Sequence, residues 1–468
     1  MLTAPVVLLA PDMRTHRETG PRYRVSEAAD QELYHLPVVR AMAADLPRVD
    51  LVEYDSATSP GYHLLMALVV RTLGDRVAVL QFLNIAIGLA LVLAVRRIAG
   101  ASGPCWALIA PLPLLCSNYL LTGAIWLTTD NLALLFVVLA LMACVATPGA
   151  RPRTVLAGVL AACAVGVRQI HVWLAAPIGL AALIRSGCFR ALIPGALFPP
   201  DADAPTDPRE RRRAFVIACV GAAIPFALLA VFVALWGGLM PPKYRDLHAS
   251  GANPALPAFA LALCACFGAF YLPGALRLGT LRTLHPRILR DPAPWIGAAL
   301  GAIAAIIPAT SHSPEDGRRY GWLWELVRLA PAPHDRSLLL LILAPIGGAT
   351  LALLWRAAQR AGRAREASLL LFASLAWCAA QSANTQAWQR YSEPFVLIII
   401  IWLASLARTN LANARADHAD THTIHADAHT PAPTRSPAHR ALDLAPLALA
   451  ALQLALTLWT VHRPALLG

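Results

Sequence analysis

The chain has 468 residues, 57% of them hydrophobic and 14% charged, with a mean hydropathy of +0.56. A soluble globular protein carries roughly a quarter charged residues, so an ordinary soluble enzyme is excluded; at about 20 apolar residues per crossing, the chain has material for at most about 13 spans. The formal net charge of +12 reads as the Arg excess of cytoplasmic loops, not as a nucleic-acid surface, and no nucleic-acid partner is expected.

Residues 1–24 open on an apolar stretch too short to cross a bilayer and read as a truncated first span or a surface anchor. Residues 25–76 are a first outer loop with an acidic motif, in which 61–73 can form a half-buried helix. A multi-span domain covers 77–407, with apolar runs at 77–95, 104–126, 129–147, 154–170, 171–184, 214–236, 255–273, 293–309, 337–355, 367–382 and 392–408. The two short runs around Arg168 and His171 read as one span plus a partial one, or as two that meet at the membrane face. Residues 408–440, rich in Ala, Asp, His, Thr and Pro, read as a low-complexity cytoplasmic linker, and 441–468 hold a C-terminal span. The fold class expected is an all-α polytopic membrane protein with 11 to 13 crossings.

Basic residues recur at Arg96/Arg97, Arg151/Arg153, Arg185 to Arg213, Arg277 to Arg290, Arg356 to Arg365 and Arg408 to Arg440, which the positive-inside rule places in the cytoplasm. The outer segments are then 25–62, 127–131, 168–171, 237–254, 310–336 and 383–391, and they hold almost every unusual polar residue, including the single lysine, Lys243. Nine cysteines fall mostly in apolar runs without a CxxC pair, and Cys264 and Cys266 point to nearly opposite sides of a helix. His418, His422, His425 and His429 have helical metal-site spacing, yet in a Pro-flanked polar segment a solvated linker is the preferred reading.

The carboxylates Asp30, Glu32 and Asp55 lie at the outer membrane face, where acidic groups are costly unless solvated or used, and any of them can serve as a general base. Asp130, after Thr128 and Thr129, is either a helix N-cap or a site residue. Arg168, Arg318, Arg319, Arg390 and Lys243 are cations on the face where topology does not call for them, and lipid phosphate is a natural common ligand, since Arg matches phosphate oxygens bidentately; binding to bulk anionic lipid is the alternative. Trp322 and Trp324 add aromatics that favour the interface.

Taken in chain order, these residues resemble the dolichyl-phosphate-glucose-dependent alpha-1,2-glucosyltransferase family, over roughly residues 30–400. The family's Asp-Glu-x-Phe-His-x-Pro resembles Gln31-Glu32-Leu33-Tyr34-His35-Leu36-Pro37. Its Trp-Asp-Pro-x-Ile-Thr-Thr-x-Pro-Gly-x-Tyr resembles Tyr54-Asp55 followed by Thr58-Ser59-Pro60-Gly61-Tyr62. Asn84, Thr129-Asp130, Arg168-Gln169, Gly237-Gly238 with His248, Asp316 to Tyr320, and Arg390-Tyr391 with Pro394 continue the match. The chain departs from the pattern at Gln31 (family Asp), Gln81 (family Arg) and Ile170-His171 (family Thr-Asn), so that Glu32, or Asp30 shifted by one, takes the acidic role.

The resemblance implies a GT-C membrane fold and inverting transfer of a hexose, glucose in the family, from a polyprenyl- or dolichyl-phosphate sugar to a lipid-linked or other glycan acceptor. It implies Glu32, Asp30 and Asp55 as candidate bases, Arg318, Arg319, Arg390, Arg168 and Lys243 at the donor phosphate, and His35, Asp130, Gln169, His248, Tyr320 and Tyr391 at sugar or acceptor. No cofactor is required, although Asp30, Glu32 and Asp55 together could hold a divalent metal. Ala and Arg richness suits a GC-rich bacterial genome, hence polyprenyl phosphate and an inner-membrane enzyme with its active face outward. Alternatives are a mannosyl- or protein O-glycosyltransferase of the same architecture, a non-catalytic relative, and a lipid-sugar transporter or flippase.

Overall fold

The computed structural model describes residues 30–145, 153–186, 207–245, 251–276, 290–312, 319–424 and 442–466, with 195, 197 and 198 placed individually. A wide π-helical turn, Asp30–His35, leads straight into α1 (Leu36–Asp45), where Pro37 occupies the first turn and its missing N–H leaves no helical bond unmade. α2 (Gly61–Leu73) and α3 (Val77–Gly100) follow. The next apolar run is not one rod: Pro111 stands between α4 (Pro104–Ile109) and α5 (Leu112–Leu115), and a break at Cys116 and Ser117 bends these by 73° from α6 (Asn118–Ile125).

Then come α7 (Asp130–Cys144), α8 (Thr154–Val167), a 3-10 segment Gln169–Leu174 and α9 (Ala175–Ser186). Asp207 caps α10 (Pro208–Trp236) and Asp291 caps α12 (Pro292–Ile306), each accepting a backbone N–H at 3.1 Å; α11 (Leu256–Leu276) lies between them. A two-residue strand β1 (Arg319–Tyr320) precedes α13 (Trp322–Leu329), α14 (Leu338–Arg360) and α15 (Ala364–Ser382). Strand β2 (Ala387–Trp388) pairs in parallel with β1, Arg319 opposite Ala387 and Tyr320 opposite Trp388, and runs into α16 (Gln389–Ile424); α17 (Ala445–Leu466) ends the described chain.

Every predicted apolar run is helical. Five helices are long and apolar enough to cross a membrane, namely α3, α10, α11, α14 and the Gln389–Thr409 part of α16, or six if α4 to α6 form one broken span. The protein is thus a polytopic all-α membrane protein. The expected 11 to 13 crossings are not all full-length rods: runs 129–147, 154–170 and 293–309 give helices of 15, 14 and 15 residues, shorter than the roughly 20 needed to cross unaided.

α16 is the axis of the molecule, its apolar stretch wholly buried, while α10 is only 22% buried. Val216, Val220, Phe226 and Val231 on α10, and Trp295, Leu300, Ile303 and Ile306 on α12, face outward in rows that water would not tolerate and that suit hydrocarbon. Small residues let the backbones close up: a Cβ on Gly158 of α8 would stand 2.2 Å from the Gly221 carbonyl oxygen of α10, and one on Gly347 of α14 would stand 1.7 Å from that of Leu261 on α11.

The two ends of the bundle differ. Eighteen residues, about 27 Å of helix, separate Arg390 in the first turn of α16 from Arg408, which binds Asp443 at 2.7 Å. At the Arg408 end, Asp291 also holds Arg356 and Arg360, so basic segments read as cytoplasmic gather there. The candidate site residues that are described gather at the other end.

Candidate functional site

Four segments far apart in sequence meet around Tyr391. Asp130 stands at the start of α7, Arg168 just past the end of α8, Arg390 and Tyr391 in the first turn of α16, and Asp30 in the π-helical turn before α1. Arg168 is bonded to Asp130 through Nη1 and Oδ1, so this carboxylate oxygen faces the guanidinium, and Thr129 makes no side-chain cap bond. Arg390 Nη1 donates to Asp30 Oδ2 at 2.6 Å, and its Nη2 donates to the Tyr391 hydroxyl at 3.0 Å.

Both guanidiniums also lie over the same ring, Arg168 at 4.3 Å and Arg390 at 5.0 Å from the centre of Tyr391, with Arg390 4.5 Å from Trp388 as well. Such cation–π contacts fix the planar forks in place. Arg168, Arg390 and Tyr391 open onto a partly open cleft, lined also by Asp130, Asn131, His171 and Gln381, with Trp377 and Phe395 as its apolar part.

Beside it runs a buried file of hydrogen bonds. His35 Nδ1 meets His63 Nε2 at 2.9 Å, His63 Nδ1 meets the Tyr54 hydroxyl at 2.6 Å, and that hydroxyl is 3.3 Å from the Ser59 carbonyl. Burial, reinforced by Arg390 and Arg168, pushes the His35 imidazole down to about 3, so His35 is neutral at physiological pH.

Asp55 forms a separate, exposed group. It accepts from Lys243 Nζ and from the Tyr244 hydroxyl, at 2.8 and 2.7 Å, and these hydrogen bonds hold it below the usual carboxylate range. Asp30, Glu32 and Asp55 therefore do not converge: Asp30 binds Arg390, Asp55 binds Lys243, and neither Asp30 nor half-buried Glu32 is among the residues lining the cleft, although Asp30 reaches it through Arg390. Among the described residues no three His, Cys, Asp or Glu side chains are grouped as metal ligands.

Gln169 acts as a brace, donating to the Ala57 carbonyl at 2.9 Å and accepting from Ser59 Oγ at 3.2 Å. Arg319 donates to the carbonyls of Ser311 and Ala309 and lies over Trp324, so it orders its own loop; Tyr320 is exposed beside it. Arg318 and His248 lie outside the described residues.

Two departures from the family pattern are partners. Gln81 Nε2 donates to Gln31 Oε1 at 3.2 Å, and the same oxygen accepts the Leu127 N–H at 3.1 Å, so Gln31 is buried as a tie between the π-helical turn, α3 and the loop before α7. Asn84, one turn on, donates to the carbonyls of Gly123 and Trp126 at 2.7 Å and holds the end of α6.

Sequence reasoning missed Glu393. Wholly buried one turn after Arg390, its carboxylate accepts from Ser117 Oγ, Trp322 Nε1, Gln389 Nε2 and Gln453 Nε2 at 2.6 to 3.0 Å, joining the start of α6, α13 and α17 to α16. The available signal was an acid at the mouth of an apolar run. No family model, curated protein or solved structure matches this chain.

Proposed function

We propose that the protein is a membrane glycosyltransferase that moves a hexose, glucose by family resemblance, from a polyprenyl-phosphate sugar to a glycan hydroxyl with inversion. The observation that carries this reading is the pair of guanidiniums, Arg168 and Arg390, that flank Tyr391 at the cleft, each held by one carboxylate. The site is thus ready for a phosphate without carrying a bare charge: phosphate oxygens accept the fork donors now directed at Asp130 and Asp30. Arg168 and Arg390 then oppose the negative charge that grows on the phosphate as the C1–O bond breaks.

The same exchange frees Asp30. A carboxylate gripped by guanidinium has its lone pairs engaged; once the phosphate shares Arg390, Asp30 can take the proton of the acceptor hydroxyl while that oxygen bonds to C1. Glu32, two residues along the same turn, is the other candidate base. Lys243 and Arg319 have no part in this reading, because neither lines the cleft that Arg168 and Arg390 share. The face that carries the cleft is assigned to the outer side of a bacterial inner membrane, opposite the Arg-rich end.

Equilibrium binding of polyprenyl phosphate to the protein in lipid nanodiscs tests the phosphate assignment. Wild type is expected to bind, and Arg168→Ala and Arg390→Ala each to weaken binding at least roughly tenfold, the size of one charge-assisted hydrogen bond. Equal binding by all three proteins would remove the assignment.

A second reading, a lipid-sugar transporter, draws on the broken helix α4 to α6 and on Glu393 buried inside the bundle. It predicts movement of labelled polyprenyl-phosphate sugar across a vesicle membrane without any glycosidic product.

A further inference from the structure

His171 is a cleft residue whose state calls for a ligand. It lines the cleft, is only 8% exposed, and its Nδ1 is a buried nitrogen without a hydrogen-bond partner. Buried polar atoms are normally paired, so an orphan nitrogen in a cavity wall marks where a missing partner belongs. Its fixed position follows from the chain: Arg168 ends α8, and the 3-10 segment that begins at Gln169 turns the ring back beside Arg168.

The partner's chemistry can be narrowed. A phosphate oxygen only accepts and would satisfy only the Nδ1–H tautomer, whereas a hydroxyl can donate or accept and satisfies either. Anion recognition is already supplied by Arg168 and Arg390. Among the neutral groups, Asn131 Nδ2 is engaged with the Leu120 carbonyl at 3.0 Å, while His171, Gln381 and Tyr119 also line the cleft and can read hydroxyls. Trp377 and Phe395, stacked with centroids 4.7 Å apart, supply apolar surface for the C–H face of a ring.

We propose that His171 is a specificity-determining residue of the cleft, its Nδ1 hydrogen-bonding a hydroxyl of the sugar carried by the lipid phosphate. This rests on the phosphate reading given above. The test compares binding of polyprenyl phosphate and polyprenyl-phosphate glucose by wild type, His171→Ala and His171→Gln in nanodiscs, beside a 15N-histidine NMR titration of wild type with both lipids.

Wild type is expected to prefer the glucose lipid by roughly tenfold, one hydrogen bond's worth. His171→Ala should lose the preference yet bind the bare lipid as before, which also shows that it folds, and His171→Gln should regain part of it. The Nδ1 resonance of His171 should shift with the glucose lipid and stay in place with the bare one. A preference that survives His171→Ala, no preference in wild type, or an Nδ1 that responds alike to both lipids overturns the role of His171 and leaves the phosphate reading standing. Failure of wild type to bind either lipid overturns both.

Discussion

Arg390 and Asp30 meet at 2.6 Å although 360 positions separate them in the chain, so the π-helical turn before α1 is fastened to the first turn of the central helix by a largely buried ion pair. Removing one partner strands the other charge, and a stranded, partly buried charge costs about 3 kcal/mol. Asp30→Asn and Arg390→Ala should each destabilise by about that much, and the double variant by clearly less than their sum. Denaturant unfolding in detergent measures the three values; strict additivity would mean that the pair is not coupled.

Glu393 sets up a different sensitivity. All its partners are neutral donors, so Glu393→Gln turns one acceptor into an amine that faces donors. A loss of about 2 to 4 kcal/mol is expected from the unsatisfied groups and the lost charge-assisted bonds. A melting temperature equal to that of wild type would contradict this account of how α6, α13 and α17 are tied to α16.

His35 gives a pH dependence of defined sign. Its imidazole is held at about 3 in the folded protein against about 6.5 when exposed, so between these values the unfolded chain binds the extra proton. Stability is therefore complete above about pH 6.5 and falls as the pH drops towards 3, by about 2 kcal/mol between pH 7 and pH 5 from this group alone. His35→Asn should flatten that part of the stability–pH curve. A curve of unchanged slope would show that His35 is not neutral and buried.

The charge division along the bundle predicts sidedness. With native cysteines replaced, Lys243→Cys and Arg360→Cys should react with a membrane-impermeant thiol reagent from opposite sides of oriented vesicles. Labelling of both from one side would contradict the division between the cleft end and the Arg-rich end.

Much of the bundle is legible in the sequence because a bilayer-sized apolar run leaves the backbone little choice but helix. Even the half-buried helix at 61–73 and the break around Arg168 can be read in this way. The shortening of α7, α8 and α12 is not readable, since apolar residues beyond a helix end look the same as those within it. Site residues are legible as types but not as pairs. Asp130 and Arg168 each stand out, yet only the antiparallel packing of α7 and α8 joins them, and no spacing rule links Asp30 to Arg390. Arg319 stands out in sequence only as a cation, and the backbone carbonyls to which it donates are partners that sequence does not display. Gln31 and Gln81 look like two separate departures and are one contact. Glu393 escapes notice because its partners are neutral side chains, from three separate segments and its own helix.

The central claim is that Arg168 and Arg390 hold the phosphate of a lipid-linked sugar during transfer. Its most direct test is the transfer of radiolabelled hexose from a panel of polyprenyl-phosphate sugars to extracted lipid-linked glycans, by wild type, Arg168→Ala and Arg390→Ala in nanodiscs. Turnover by wild type that falls by roughly a hundredfold or more in folded Arg variants, as loss of a charge-stabilising donor requires, is the predicted result. Glycoside formation undiminished in both variants, or none from any donor, would contradict it.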